Sequence, residues 1–476
     1  MSLVLRNARV GGELTDIAIE GGRIVGLGRA DSHGVDLEGR HVIPGLWDEH
    51  VHVAQSALAA RRMDVSAAAS AEEAAATLAR SPRPGGGVPL VGYGFRDGLW
   101  PDIPTAALLD RHVSDPPAVL VSGDLHCVWL NSAALERFGH AGHPTGILRE
   151  DDAFPVTAAL QDVPTTVLDE WIASTAASAA SRGVVGIVDF EMSDNLVDWP
   201  RRLAAGFDSL RVDAGVYTEH LDTVISAGLR TGDGIGEGGL LRIGPWKVLT
   251  DGSLNTRTAY CAHDYPGLRG PGARGILTVP NDELIGEMRR ATDAGLVPAV
   301  HAIGDEANRL ALDAFEAVGR GGRIEHAQLL LDADLARFAA LGVAASVQPE
   351  HAMDDRDVAD RYWAGRTGRA FPLRSLLDAG ARLLFGSDSP VAPLDPWVTM
   401  AAAVGRARDG LEPWHPEQAV TIDEALDASA RTRVAVGEPA DLVVTQVDPR
   451  AATADGLRSM PVDGTLLAGR WTWKAL

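Results

Sequence analysis

The chain has 476 residues, of which 46% are hydrophobic and 23% charged, the ordinary composition of a globular protein. Its formal net charge of −22 disfavours a nucleic-acid or anionic-membrane partner, because the general field repels phosphate, but it does not exclude an anionic small substrate. The two cysteines, Cys127 and Cys261, are too few for a disulfide framework. Neither a signal peptide nor a bilayer-spanning apolar run is visible. We therefore expect a cytoplasmic protein with a small-molecule substrate and no membrane partner. The composition does not decide between a monomer and a homo-oligomer.

Both ends of the chain carry short strand patterns separated by Gly turns. Each set is too short to form a core alone. We therefore expect residues 1–43 and 437–476 to build one composite β-sandwich, with two independent β units as the alternative. The strand patterns are Leu3–Val10, Asp16–Glu20 and Arg23–Leu27 at the amino end, and Ala440–Thr445, Val462–Leu467 and Arg470–Trp473 at the carboxyl end.

Residues 44–436 alternate short apolar strands with Ala-rich helices, which favours a parallel β/α architecture. Asn281–Ala294 and Asp305–Ala317 place apolar residues at helical spacing. Eight strand-like runs occur, the number that closes a TIM-type (β/α)8 barrel. These predicted strands are Ile43–His52, Val184–Phe190, Leu210–Tyr217, Ile243–Leu249, Val297–Ala302, Arg323–Ala327, Val343–Gln348 and Leu383–Ser387.

The first barrel strand ends on two histidines, His50 and His52, one residue apart. Side chains at i and i+2 of a strand point to the same face, so both imidazoles converge as two metal ligands must. A chance pair on a solvated strand is the alternative. Further candidate ligands, His301, His326 and Asp388, close later strands, and Lys247 lies inside the fourth. Catalytic side chains of such barrels come from the carboxyl ends of the strands.

A long segment, residues 54 to about 165, separates the first two barrel strands. It contains strand-like runs of its own, Val88–Tyr93 and Ala118–Val121, followed by His126. We expect this insertion to lie over the barrel mouth, where long connections usually carry specificity. For His126 alone, a surface role is the alternative.

Seven motifs in a fixed order carry a family resemblance. They are Pro44–His52, Asp124–His126 through Asn131–Leu135, Lys247–Leu254 with Arg257–Ala259 behind it, His301–Asp305, Arg323–Gln328, Ser346–Pro349 and Phe385–Pro390. On these motifs the chain is identified as a member of the amidohydrolase superfamily. It is similar to the amidohydrolase 3 type, the branch of YtcJ-like hydrolases and N-substituted formamide deformylase.

The resemblance implies a metal-dependent hydrolase with a binuclear centre. His50, His52 and Asp388 would hold one ion, and His301 and His326 a second. Lys247 would bridge them as a carbamate formed with CO2, because a free ammonium cannot ligate a cation. A lysine beside two cations favours its neutral amine, the form that reacts with CO2. The alternative for Lys247 is a lysine at the edge of the core that pairs with Asp251.

The implied reaction is cleavage of a non-peptide C–N bond in an amide, formamide or related acyl compound by a metal-bridging hydroxide. Imidazole and carboxylate ligands suit Zn²⁺, with Mn²⁺ or Fe²⁺ as alternatives. Asp388 would take the proton of the water and return it to the leaving nitrogen; a structural cap on its turn is the alternative. His126 and His351 are candidates to orient the substrate carbonyl, and Arg257 to bind a substrate carboxylate, with surface or structural roles equally open.

Two departures from the relatives' pattern stand out. Glu49 alternates away from the metal face, so we expect it to support the fold rather than bind metal; the segment Asp427–Glu438 is short. A deaminase of the same superfamily, with one metal and a glutamate near His301, is the second functional hypothesis. Gly304 in the third position after His301, together with Lys247, argues against it. A catalytically inactive binding protein on the same scaffold is the third hypothesis.

Overall fold

A computed structural model describes residues 2–29, 33–83, 88–161 and 163–476. The strands in chain order are β1 (Ser2–Val10), β2 (Glu13–Glu20), β3 (Arg23–Leu27), β4 (Val35–Asp36), β5 (His41–Pro44), β6 (Leu46–Val51), β7 (Met63–Asp64), β8 (Leu90–Phe95), β9 (Ala118–Ser122), β10 (Cys127–Leu130), β11 (Ile147–Arg149), β12 (Val184–Asp189), β13 (Arg211–Tyr217), β14 (Gly234–Ile235), β15 (Leu241–Leu249), β16 (Pro298–Ala302), β17 (Gly322–His326), β18 (Val343–Val347), β19 (Leu383–Phe385), β20 (Leu442–Thr445), β21 (Val462–Leu467) and β22 (Arg470–Lys474).

The α-helices connect and cover these strands. They are α1 (Val53–Ala59), α2 (Ala71–Ala79), α3 (Ala106–His112), α4 (Ser132–Arg137), α5 (Phe154–Ala159), α6 (Thr165–Ala180), α7 (Asn195–Ala204), α8 (Leu221–Ser226), α9 (Asn281–Asp293), α10 (Asp305–Val318), α11 (Leu335–Leu341), α12 (His351–Tyr362), α13 (Leu373–Asp378), α14 (Pro396–Gly405), α15 (Ile422–Ala428) and α16 (Ala454–Arg458). Throughout the described ranges, every helix is too short or too polar to cross a membrane.

The predicted parallel barrel is confirmed. Strands β6, β12, β13, β15, β16, β17, β18 and β19 lie side by side in that order, each parallel to the next. The ring is closed between its first and last strands, where the Asp388 amide donates to the His50 carbonyl at 2.7 Å and the His52 amide to the Ser389 carbonyl at 2.9 Å. The carboxyl ends of all eight strands therefore meet at one mouth.

The ends of the predicted strands differ from the observed ends by at most three residues, and two of these differences bear on the site. The run predicted as Ile43–His52 is split, because His41–Pro44 pairs with β20 of another sheet and β6 begins at Leu46. The chain crosses between the sheets at Gly45, where a Cβ atom would lie 2.6 Å from the Val185 side chain. The last strand ends at Phe385 rather than at Ser387, since the chain turns into the cavity and Asp388 has a φ of 56°.

The helices pack on the barrel as their apolar spacing predicts. In α9 the buried residues Leu284, Met288 and Ala291 recur at spacings of four and three, and α10 buries Ala311 and Phe315 in the same core. Burying each large apolar side chain contributes about 1.5–3 kcal/mol. This core around the barrel fixes the strand ends that carry the site.

A second sheet joins the two chain ends. Its strands run in the order β22, β21, β20, β5, β1, β2 and β3, with β4 beside β1. Val443 of β20 faces Ile43 of β5, and Leu5, Ile19 and Leu466 lie in one buried cluster beneath the sheet. Strands from both ends thus share one sheet. The domain boundaries at 43/44 and 436/437 stay a prediction.

The segment that follows β6 forms a third sheet, in the order β11, β10, β9, β8 and β7. The runs predicted at Val88–Tyr93 and Ala118–Val121 are observed as β8 and β9. Its connection to the barrel is polar: the Ser253 hydroxyl, from the loop after β15, donates to Asp124 at 2.6 Å. The turn after β9 therefore brings Asp124 and His126 to the barrel mouth. Both cysteines are buried and free.

Candidate metal centre

Three side chains from three strand ends form a tight cluster in the barrel mouth. His50 belongs to β6, His326 ends β17, and Asp388 follows β19; all three are buried. One potential ligand atom of each lies within 4.8 Å of those of the others. Parallel strands that end at one mouth place residues 338 positions apart (388 − 50) within ligand distance.

The remaining predicted ligands surround this cluster. His52 Nε2 lies 3.2 Å from Asp388 Oδ1, and the ring centroids of His301 and His326 are 4.5 Å apart. Lys247 is the sixth predicted ligand, and all six line one cavity of about 340 Å³. The structure thus brings the six together, but the tight cluster joins His50 and His326, which the resemblance assigns to different ions. Their individual roles stay predictions.

Burial and neighbouring charge set the protonation of the cluster in favour of metal ligation. Burial lowers the pKa of His50 to about 4, helped by the Lys247 charge, and lowers that of His326 well below its ordinary value. Burial alone would raise the pKa of Asp388, but the nearby histidines, His50 first, hold it well below the usual range. Neutral imidazoles beside an ionised carboxylate are the forms that bind a cation.

The polar atoms left without partners fit a metal. Among the described residues, Nδ1 of His52, Nδ1 of His326 and Nε2 of His351 are buried and have no hydrogen-bond partner. Buried polar atoms normally find partners, so three such atoms in one site require a reason. Imidazole nitrogens and carboxylate oxygens are also the donor set that Zn²⁺ and similar ions take. The residues present therefore fit a divalent cation.

Lys247 is buried on β15, with its Nζ 4.7 Å from the centroid of the Phe190 ring. Burial lowers its pKa to about 8, against the opposing charges of Glu325 and Asp388. The alternative partner Asp251 is engaged elsewhere, because it accepts hydrogen bonds from the amides of Ile303 at 3.0 Å and Gly304 at 2.9 Å. Within the described chain, no carboxylate lies at ion-pair distance from the Lys247 amine.

A buried chain of charges supports His50 from below. Its Nδ1 lies 2.7 Å from Glu325 Oε2; Glu325 accepts from Arg323 at 2.5 Å. Arg323 in turn donates to Glu49 at 3.0 Å, and Arg431 donates to Glu49 at 2.6 Å. Burial would raise the pKa of Glu325, but Arg323 and His50 hold it far below the ordinary value. Glu49 thus supports the fold, as its position on the strand face that points away from the metal ligands indicates.

Sequence reasoning missed the role of Glu325, although a signal was present. Arg323 and Glu325 are i and i+2 on one strand, so they share a face, and two charges inside an otherwise apolar strand must be paired. Phe190 was also missed. Its ring packs edge-on to His50 with centroids 4.8 Å apart, and it stands directly after β12, at the end of the barrel where sites form.

The three predicted substrate-binding residues fall in different places. His126 lines the cavity, and its Nδ1 lies 2.7 Å from Glu150; burial would lower its pKa, but Glu150 raises it to about 9. His351 stacks on His326 at 6.1 Å between centroids, with Nε2 3.9 Å from Asp388. Arg257 lies outside the described lining of the cavity, with its guanidinium over the Tyr362 ring. His126 and His351 are therefore brought to the cluster, and Arg257 is not.

A closed parallel β/α barrel that gathers histidine, aspartate and lysine at its carboxyl end defines the class of β/α-barrel hydrolases. The sequence profile of the amidohydrolase family matches residues 33–472, and the chain belongs to that family.

Relatives and solved structures agree with this assignment. The YtcJ protein of Bacillus subtilis (strain 168) is 27% identical, with 93% of this chain and 91% of that protein covered. The N-substituted formamide deformylase of Arthrobacter pascens is 28% identical, with 95% and 94% covered. The crystal structure of an uncharacterized metal-dependent hydrolase from Pyrococcus horikoshii superposes with a TM-score of 0.79 at 26% identity, covering 96% of this chain and 99% of that one. The chain thus resembles these proteins over nearly its whole length.

Proposed function

We propose that the protein is a metal-dependent hydrolase that cleaves a non-peptide C–N bond in a small amide, formamide or related acyl compound. The observation that carries this proposal is the buried cluster of His50, His326 and Asp388 at the barrel mouth, whose ligand atoms lie within 4.8 Å of one another. The choice of a C–N bond is supported by the relative named N-substituted formamide deformylase.

His50, His52, His301, His326 and Asp388 would hold one or two divalent cations, with Zn²⁺ as the first candidate. Ions held there would supply Lewis-acid chemistry, polarising a substrate carbonyl and making a nearby water more acidic. The neutral amine of Lys247 attacks the carbon of CO2, which gives a carbamate and releases one proton. The lowered pKa of Lys247, about 8, supplies that neutral amine near physiological pH. The carbamate offers two oxygens where an ammonium offers none.

Asp388 is the group that moves protons. Its carboxylate faces the cavity, and its contacts with His50 and His52 hold its pKa well below the usual range. It takes a proton from the attacking water and returns it to the nitrogen that leaves. His126, held by Glu150 at 2.7 Å, is placed to hydrogen-bond the substrate carbonyl or the oxyanion that develops from it.

A deaminase reaction is the second hypothesis, and the cluster of three ligands suits a single ion. The position where a deaminase glutamate would stand is Gly304, and a Cβ there would overlap the backbone oxygen of Tyr260. Glu306 is paired with Arg309 at 2.7 Å. Neither position therefore offers a free glutamate near His301 that could serve a deaminase reaction. An inactive binding protein would be expected to have lost ligands, and all six are present.

Metal content and turnover test the proposal together. Protein purified without chelator and loaded with Zn²⁺ is analysed for bound metal and screened against N-acyl and N-formyl compounds. We expect metal to bind and at least one amide to be hydrolysed, with Asp388→Asn abolishing turnover while keeping most of the metal. Two equivalents of metal support the binuclear site, and one equivalent favours the mononuclear alternative. Bound metal without turnover of any amide contradicts the proposal.

A further inference from the structure

The surface exposed in the cavity above the cluster is mainly apolar, although polar side chains also line it. The larger apolar side chains are Leu125 in the turn after β9, Phe154 in α5, Met192 in the loop after β12, Tyr217 at the end of β13 and Leu249 at the end of β15. Its volume of about 340 Å³ lies at the lower end of the range of small-molecule sites, about 300–1,000 Å³. A ligand that reaches the cluster and fills this cavity therefore needs an apolar body.

Two carboxylates stand on this wall without partners. Asp151 precedes α5, Glu219 follows β13, and both are exposed and line the cavity. In the part of the chain that the structure describes, neither carboxylate makes an ion pair or a side-chain hydrogen bond. A third, Asp124, is engaged by Ser122 at 2.5 Å and Ser253 at 2.6 Å. The negative charges of Asp151 and Glu219 therefore act on any ligand that enters the cavity.

Outside the metal centre, His126 is the positive side chain on the described lining of this cavity. Among the described lining residues no arginine occurs, and Lys247 lies within the cluster. His126, whose ring packs edge-on against Phe154 of the same wall, already has the carboxylate of Glu150 as its partner. Carboxylate ligands are usually bound by the paired N–H groups of an arginine. This cavity provides no such group, and the net charge of −22 adds to the repulsion.

From these observations we infer the substrate class: an amide whose small polar end meets the cluster and whose remaining body is apolar and carries no negative charge. A positive charge on the far end is tolerated or favoured, because Asp151 and Glu219 are unpaired. The identity of the bond cleaved rests on the proposed function. The charge preference rests on the cavity wall alone.

The test compares three ligands on one scaffold that carry a neutral, a positive or a negative group, namely N-acetylbenzylamines with a para methyl, aminomethyl or carboxyl group. Binding to the Zn²⁺-loaded full chain is measured by calorimetry at pH 7, and turnover is followed in parallel. We expect the methyl and aminomethyl compounds to bind at least about tenfold more tightly than the carboxyl compound. Rising salt should narrow this ratio, because screening weakens interactions between exposed charges.

The double variant Asp151→Asn with Glu219→Gln tests the cause. Removing both charges should reduce the ratio between the methyl and carboxyl compounds several-fold. The exposed Glu283→Gln on α9, outside the cavity, is the matched control and should leave the ratio unchanged. Equal or tighter binding of the carboxyl compound, or no binding of any of the three, overturns the inference. Selective binding without turnover leaves the inference standing and counts against the proposed hydrolase function instead.

Discussion

Glu325 provides the sharpest test of how the barrel supports its metal centre. It is fully buried and paired with Arg323 at 2.5 Å and His50 at 2.7 Å. Glu325→Gln keeps the shape of the side chain but removes its charge. Breaking a buried pair costs about 3–5 kcal/mol. In this variant Arg323 keeps its hydrogen bonds to Glu49 at 3.0 Å and to Ser346 at 2.7 Å. We therefore expect a loss at the lower end of that range, about 3 kcal/mol in the free energy of unfolding.

The same substitution should weaken metal binding. A carboxylate that accepts from the second nitrogen of a ligating histidine raises its basicity and fixes its orientation, and its loss typically costs about 10–100-fold in affinity. Metal-free protein is unfolded in urea to give the stability, and Zn²⁺ affinity is measured by competition with a chelator. Glu283→Gln is the control. A stable Glu325→Gln protein with unchanged Zn²⁺ affinity would refute the claim that Glu325 positions His50.

Four further predictions follow from the same geometry. The stability that Glu325 contributes should be present above the ordinary glutamate pKa of about 4.3 and be lost as pH falls toward its lowered folded-state pKa, so urea unfolding of wild type and Glu325→Gln should converge in acid. Chelation should lower the melting temperature reversibly, because a ligand at about 100 times its Kd adds about 2.7 kcal/mol to the folded state; an unchanged melting temperature would argue against a metal. Arg431→Gln should cost about 1.5–3 kcal/mol in urea unfolding, since the buried Glu49 carboxylate then loses the hydrogen bonds of one of its two arginine partners; a cost below about 1 kcal/mol would contradict this. Gly304→Ala should cost about 1–3 kcal/mol, because the methyl group overlaps the Tyr260 carbonyl, whereas the unobstructed Gly286→Ala on α9 should not destabilise.

The sequence by itself determined the parts of this protein that depend on local spacing. Largely apolar runs of five to ten residues between helical patterns predict the eight barrel strands, because burial on both faces of a strand leaves a nearly continuous apolar signature. Placement at strand ends predicts the set of residues at the mouth, since parallel strands share one carboxyl end. His50, His301 and Asp388 were found by this rule, hundreds of positions apart.

The tertiary structure alone decided which of these residues are nearest neighbours. His50 and His326 meet because the stagger of eight strands around the ring sets the height of each side chain, and a single sequence does not specify that stagger. The ion pairs of Glu49 with Arg323 and Arg431 span 274 and 382 positions, so no local pattern joins them. The negative charge of the cavity wall could not be predicted from the sequence either. Asp151 and Glu219 lie in separate segments of the chain, and only the folded barrel brings them to one cavity.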